Sequence, residues 1–330
     1  CLTDQFDYLS GTAELTEYFL SKTGTQFNLK NPVSVKFNNG QFDLPDFIIE
    51  SPSGLIKMDL IGRGSSIEGY ITGRADLSLS EFFTSAIKKV DGTGDIDLLI
   101  RGRLTKPLFR GRMYVDQTRV RLSSVESPFE AITGSIELKD GILSFNSFKS
   151  DFATGRANAQ GKIELFSDRL PQIDLLLKIE KSKIKVYPFT YALVSGRLRA
   201  HGSSLPYQVD GEVLIDDALS REKIQDQGKN KALKSAAYTP PPTQARKTDY
   251  PLFKLNIKAT ADNNVIVRND FFDLEMKGDL VVVNTIETPR VIGTADVIQG
   301  RILFKDRVFQ IQSASLNFDN PTVINPKFNM

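Results

Sequence analysis

The sequence predicts an all-β fold: an elongated, curled, mostly antiparallel sheet with a hydrophobic interior and one or two short helices. Three observations carry this. Apolar and polar residues alternate with period two along most of the 330 residues, glycines punctuate the alternating segments, and only two stretches show helical spacing. Successive strand residues point to opposite faces, so alternation gives each segment one apolar and one polar face. That suits an antiparallel sheet with one face in water, not a βαβ parallel sheet.

Taken in order, Gly11 to Lys22 sets Leu15, Tyr18, Phe19 and Lys22 at helical spacing, with Gly24 as a stop. Leu77 to Val90 places Ser78 three residues before Glu81, a capping box that predicts a second helix. The strands follow. Val33, Val35 and Phe37 share one face, as do Ile96, Leu98 and Ile100, then Ile173, Leu175, Leu177 and Ile179. Phe253, Leu255, Ile257 and Ala259 form a further face, and so do Val291, Gly293, Ala295 and Val297. Gly-polar-apolar triplets at Gly94, Gly102, Gly134, Gly161, Gly196, Gly211 and Gly300 predict strand starts at turns or bends. A coarser unit recurs in Pro107 before Gly111, Pro206 before Gly211 and Pro289 before Gly293, each Gly leading into a new strand. The spacing is too wide for short solenoid repeats and reads as modules of several strands.

The organisation read from this is a β-rich segment with two short helices over 1–92, groove-forming sheet modules over 93–218 and a C-terminal β domain over 251–330. Between them, 219–250 is a basic, Pro-containing loop or linker with seven Lys/Arg against three Asp/Glu and the run Pro240-Pro241-Pro242. It reads as a solvated insertion or as a tether to anionic lipid headgroups.

Composition excludes much chemistry. Apolar residues are 40% and charged residues 25%, which rules out a disordered chain and a membrane bundle. The net charge of +2 gives no support to nucleic-acid binding. A single Cys and a single His exclude zinc fingers, iron–sulfur sites, disulfide scaffolds and most Ser-His-Asp arrangements. No apolar run is long enough to span a membrane. Cys1 reads as a lipidated N-terminus or as the start of a piece cut from a longer chain. Asp216-Asp217 reads as turn capping at a strand end, and His201 as a surface histidine. Gly62-Arg63-Gly64 lacks the Lys and following helix of a phosphate loop. Arg101-Gly102-Arg103 and Arg110-Gly111-Arg112 read as solvated corners. No catalytic, cofactor-binding or metal-binding residues are predicted, and the protein reads as not an enzyme.

The positive feature is the quantity of apolar face. With 22 Phe and few helices to cover them, a single-layer sheet cannot leave that face in water. Burying each Val, Leu or Phe stabilises by about 1.5–3 kcal/mol. Either a second sheet stacks on it, the sheet closes into a barrel, or it forms a trough for other apolar groups. A count of about twenty strands favours the elongated, curled sheet. The predicted lining begins with Ile96, Leu98, Ile100, Ile173, Leu175 and Leu177. It continues through Phe253, Leu255, Ile257, Val265 and Val267, then Leu274, Met276, Leu280 and Val282. Val291, Val297, Ile302, Phe304, Leu316 and Phe318 complete it.

The last eighty residues carry a pattern of motifs. Thr260-Ala261-Asp262-Asn263-Asn264-Val265-Ile266-Val267-Arg268 precedes Lys277-Gly278-Asp279-Leu280, Thr288-Pro289-Arg290-Val291-Ile292-Gly293 and Gly300-Arg301-Ile302. Phe309-Gln310-Ile311, Leu316-Asn317-Phe318 and Asn325-Pro326-Lys327-Phe328 follow. This order resembles the C-terminal domain of the TamB family, the inner-membrane subunit of the translocation and assembly module, similar to AsmA-type bridge lipid carriers. The resemblance implies a β-taco with a hydrophobic groove spanning the periplasm. It further implies phospholipid acyl chains and a TamA-type outer-membrane β-barrel as partners, and roles in phospholipid movement and outer-membrane assembly. It implies no cofactor, and an inner-membrane anchor outside this fragment. Two other readings stay open: a scaffold that pairs strands with an outer-membrane barrel, using the final strands as donors, and a surface β-sandwich lipoprotein.

Overall fold

The computed structural model describes residues 10–22, 25–82, 84, 86–123, 125–165, 170–187, 190–220, 251–268, 272–304, 307–319 and 327–329. Among these the chain is all-β, with one short 3-10 helix at Leu77–Phe82. Two compact units divide it: Cys1–Leu122 with Phe129–Ser150 and Gln160–Pro171, and Ser123–Pro128 with Asp151–Ala159 and Gln172–Met330.

In the first unit the strands are β1 (Ser10–Leu15), β2 (Phe19–Lys22), β3 (Thr25–Leu29), β4 (Val33–Asn38) and β5 (Gln41–Glu50). Then come β6 (Leu55–Arg63), β7 (Ser66–Asp76), β8 (Ile87–Arg103), β9 (Lys106–Leu122) and β10 (Phe129–Lys139). From β5 to β10 each strand pairs antiparallel with the next. β5 is long enough to take β4 along one stretch and β3 along another, and β1 adds to β4. The β4–β5 hairpin closes through Asn39-Gly40, with φ of 45° and 75°, the two-residue turn whose twist matches that of the flanking strands.

β11 (Ile142–Phe152) and β12 (Gly155–Glu164) follow. The second unit then builds a ladder from β13 (Gln172–Tyr187), β14 (Thr190–Gly202), β15 (Tyr207–Ser220), β16 (Phe253–Arg268), β17 (Phe272–Thr285) and β18 (Pro289–Phe304). All its pairs are antiparallel except β15–β16, which run parallel from Tyr207 beside Phe253 to Ser220 beside Val267. A parallel pair needs a long connection, and the chain between these strands contains most of the expected loop 219–250, of which 221–250 lie outside the described residues. β18 pairs with β19 (Arg307–Ile311) along Gly300–Phe304 and with β20 (Ala314–Phe318) along Gly293–Val297. β21 (Lys327–Asn329) adds to β20. No pairing among the described residues closes either ladder into a barrel, so the sheet is open.

Three local expectations are corrected. Gly11–Lys22 is not a helix but β1 and β2, because Ser10–Leu15 pairs over its whole length with Val33–Asn38. Four apolar-spaced residues in so short a window do not separate helix from strand, and tertiary pairing decided the matter. The helix at Leu77 ends at Phe82, and β8 begins at Ile87. Its cap is Asp76, whose Oδ1 accepts from the Ser78 N–H at 3.0 Å and the Ser78 hydroxyl at 2.7 Å. Glu81 Oε1 accepts from the Val90 N–H at 2.9 Å and ties the helix to β8. Finally, Gly94, Gly134, Gly161, Gly196, Gly211 and Gly300 do not open strands but lie inside them, as does Gly111. Pro107 and Pro289 stand at strand starts, and the glycine four residues on belongs to the same strand.

Candidate functional site

Strand register shows which apolar side chains share a face. In the second unit Leu177 lies beside Leu198, then Gly211, Ile257, Val282 and Val291 across six strands. One step along, Ile179, Gly196, Val213, Ala259, Leu280, Gly293 and Phe318 form the next transverse row. Further rows run Val265–Met276–Val297–Ala314, Val267–Leu274–Gly300–Ile311 and Phe272–Ile302–Phe309. Ile173, Leu175, Phe253, Leu255 and Leu316 fall on the same face by the same registers. Phe304 sits beside Arg307 at the end of β18, and its side chain lies outside the described residues. In the first unit Ile96, Leu98 and Ile100 share a face with Ile71, Phe109, Met113 and Ile136.

The rows hold together because large side chains lie over glycines. A Cβ at Gly211 would stand 2.9 Å from Leu198 Cδ2, one at Gly300 2.7 Å from Leu274 Cδ2, and one at Gly62 would run into the Phe42 ring. Removing the β-carbon lets the neighbour fold flat against the backbone, which closes the face without a second layer. Leu274, Met276 and Val297 gather with Ala295, Ile311 and Ala314 into a buried cluster, against which Val265, Val267, Ile302, Leu316 and Phe318 pack. Leu255, Ile100 and Ile173 are buried as well, while Ile257, Leu280 and Val282 are half-buried.

Bulges keep the face continuous. On β18 the inward residues are odd-numbered up to Val297 and even-numbered from Gly300, because Ile298 is an extra residue opposite the Glu275–Met276 step. An extra residue exchanges the two faces of a strand. This places Val291 and Val297 on the same side as Ile302. β15 switches in the same way at Asp216, and β13 between Ile179 and Ser182. Asp216 is therefore not a turn cap at a strand end: it is a bulge residue whose Oδ2 accepts from the Ser195 hydroxyl at 2.8 Å. Ser195 Oγ in turn accepts from the Lys181 N–H at 3.1 Å.

The opposite face is charged and paired. Arg110 binds Asp140 through two nitrogens at 2.8 Å each, and Arg199 binds Asp174 likewise at 2.8 and 3.0 Å. Arg101 pairs with Glu68 at 2.9 Å. Arg101 thus sits in a cross-strand pair with β7, and Arg110 reaches from within β9 to Asp140 in the turn after β10. Hydrogen bonds from these guanidiniums hold Asp140 and Asp174 below the usual carboxylate range. His201 Nε2 pairs with Asp210 at 2.6 Å, and this bond lowers Asp210 in the same sense. Asn256 donates to the other Asp210 oxygen at 3.1 Å. Each of these named groups is engaged with a neighbouring strand or turn, and Arg101 and Glu68 also line an open cleft with Asp43, Asp59, Ser66 and Tyr70. Among the described residues no group of three or more His, Cys, Asp or Glu could hold a metal ion, and no helix is long and apolar enough to cross a membrane.

The same apolar faces also carry residues that sequence reasoning missed, among them Leu198, Val213, Ile311, Phe42 and Met58. The alternation around Ser66–Asp76 carried that signal for the first unit. Alternation set Ala259 and Ala295 on apolar faces, but nothing in the pattern marked Ala314, whose small size fits it opposite the bulkier Val297.

Comparison with known proteins gives one family. The model of the TamB C-terminal domain matches residues 146–330, more than half of the chain. No curated protein and no solved structure matches it.

Proposed function

The chain belongs to the TamB family, and from that premise we propose that it is a non-enzymatic β-groove protein of the bacterial envelope that shields phospholipid acyl chains and moves phospholipid across the periplasm between the inner and outer membranes, with a role in outer-membrane assembly. The observation that carries this reading is the transverse row from Leu177 to Val291. It is an apolar stripe six strands wide, without a charged residue, backed by a face of paired charges. An acyl chain against such a stripe gains about 0.8 kcal/mol per buried CH₂. No polar anchor fixes its position along the rows, so lipid slides. The test is site-specific photocrosslinking in cells. A crosslinker at Ile257 is expected to capture phospholipid, and one at Lys258, its outward neighbour, is not. Equal capture at both positions, or none at Ile257, overturns the reading.

A second reading is strand pairing with a TamA-type barrel. β1 favours it: the strand is exposed throughout, and among the described residues it pairs only with β4. An unpaired edge accepts a further strand through main-chain hydrogen bonds. That mode needs no lipid in the apolar face, so the crosslinking experiment separates the two.

A further inference from the structure

The apolar lining of the second unit continues outward along one hairpin. It passes from Leu274 and Met276, each 6% exposed, to the half-buried Ile302, and on to Phe309, which is 52% exposed on β19. The other face of this hairpin carries one exposed apolar pair beside the polar pair Arg301–Gln310. Leu303 pairs with Val308, and they are 41% and 63% exposed. Basic groups stand around it. Arg301 and Arg268 share a single carboxylate, Asp273, at 3.1 and 3.0 Å, and Arg307 is exposed at the start of β19. Among the described residues, two guanidiniums thus share one carboxylate beside this apolar end of the hairpin.

Exposed apolar side chains on both faces of a hairpin do not match an edge that waits for one more strand, which would cover an edge and leave both faces wet. They match a bilayer interface, where the apolar body lies among the acyl chains and flanking arginines reach the phosphates. We propose that the β18–β19 hairpin is a membrane-docking tip, with Leu303, Val308 and Phe309 entering the bilayer interface. Docking there brings the outer end of the lining against acyl chains, so that lipid need not cross water. The purpose of the tip rests on the lipid-groove reading; its test does not.

The chain contains no Trp, so one introduced Trp reports alone. The full chain carrying Phe309→Trp is mixed with phosphatidylcholine–phosphatidylglycerol vesicles. The expected result is a blue shift of its emission and quenching by acyl chains labelled with bromine. Tyr114→Trp, at an exposed position on β9 in the first unit, is expected to show neither. Adding Val308→Asp to Phe309→Trp should shift vesicle binding at least tenfold toward higher lipid concentration. An unchanged Phe309→Trp spectrum overturns the proposal. So does a blue shift without vesicles that grows with protein concentration, which would assign the tip to a second copy of the chain. Lipid extracted from the same preparations is scored separately. Vesicle insertion without co-purified phospholipid keeps the tip and removes the groove reading, and the reverse result removes only the tip.

Discussion

Leu274 lies across Gly300 on the neighbouring strand so closely that a Cβ at Gly300 would stand 2.7 Å from its Cδ2 and 2.6 Å from the Asp273 carbonyl oxygen. The second contact is with backbone, which cannot move aside as a side chain can. Gly300→Val is therefore expected to destabilise the second unit by about 1–3 kcal/mol, the usual effect of overpacking. Trimming Leu274 to Ala in the same chain should not restore stability, because the carbonyl contact remains. Chemical denaturation of the single and double variants checks this, and an unchanged midpoint for Gly300→Val contradicts it.

Charge placed on the lining should act differently at two positions in neighbouring rows. Leu255 is 8% exposed, so Leu255→Asp buries a carboxylate and is expected to lower stability by several kcal/mol. Val282 is half-buried. Val282→Asp should keep the thermal midpoint within a few degrees while cutting lipid capture at Ile257 at least fivefold. Thermal denaturation beside crosslinking yield reads both quantities. Full lipid capture in a folded Val282→Asp protein contradicts the groove.

Acid should weaken the outer face. Asp140, Asp174, Asp210 and Asp273 are all held below the ordinary carboxylate value, chiefly by hydrogen bonds from Arg110, Arg199, His201 and Arg268. A carboxyl lowered on folding contributes stability that is present above its unfolded value, near about pH 4, and lost as the pH falls through its folded value. Stability is therefore expected to be flat in this respect from pH 7 to about 5 and to fall below about 4. Each pair is solvent-exposed, so each contribution is small and weaker in high salt. Asp273→Asn should shallow the acid limb of a midpoint-against-pH curve, and an identical limb would count against the assignment.

Asp76 holds the only helical turn among the described residues. It is 6% exposed and accepts from the Ser78 N–H, the Ser78 hydroxyl and, through Oδ2, the Ser51 hydroxyl at 3.0 Å. Asp76→Ala removes the cap and strands these donors, with an expected loss of about 1–3 kcal/mol. Asp76→Asn keeps an acceptor for Ser78 and should lose less. Equilibrium unfolding of the two variants gives the comparison.

How far the sequence reads can be seen in particular residues. Alternation around Leu175, Leu255 and Val291 identified strands and their inward faces, because period two leaves little choice once one face must avoid water. It also named Val297 and Ile302 as lining, although an unbroken strand would set them on opposite sides. The bulge at Ile298 reconciles them, and no local signal announced it. The triplet glycines were visible, but their place inside strands was not. That place depends on Leu198 or Leu274 lying over them from another strand, a tertiary fact. Gly11–Lys22 misled for the same reason, since its partner strand begins at Val33. The Asp76 cap was hidden behind the better-looking Ser78–Glu81 spacing, in which the glutamate spends its oxygen on Val90.

The central claim, that this face holds acyl chains, is tested most directly by gentle purification without detergent, solvent extraction and mass spectrometry of what the protein carries. Phospholipid should be recovered from the native chain and be sharply reduced for Val282→Asp. A folded native protein that yields no phospholipid would contradict the claim.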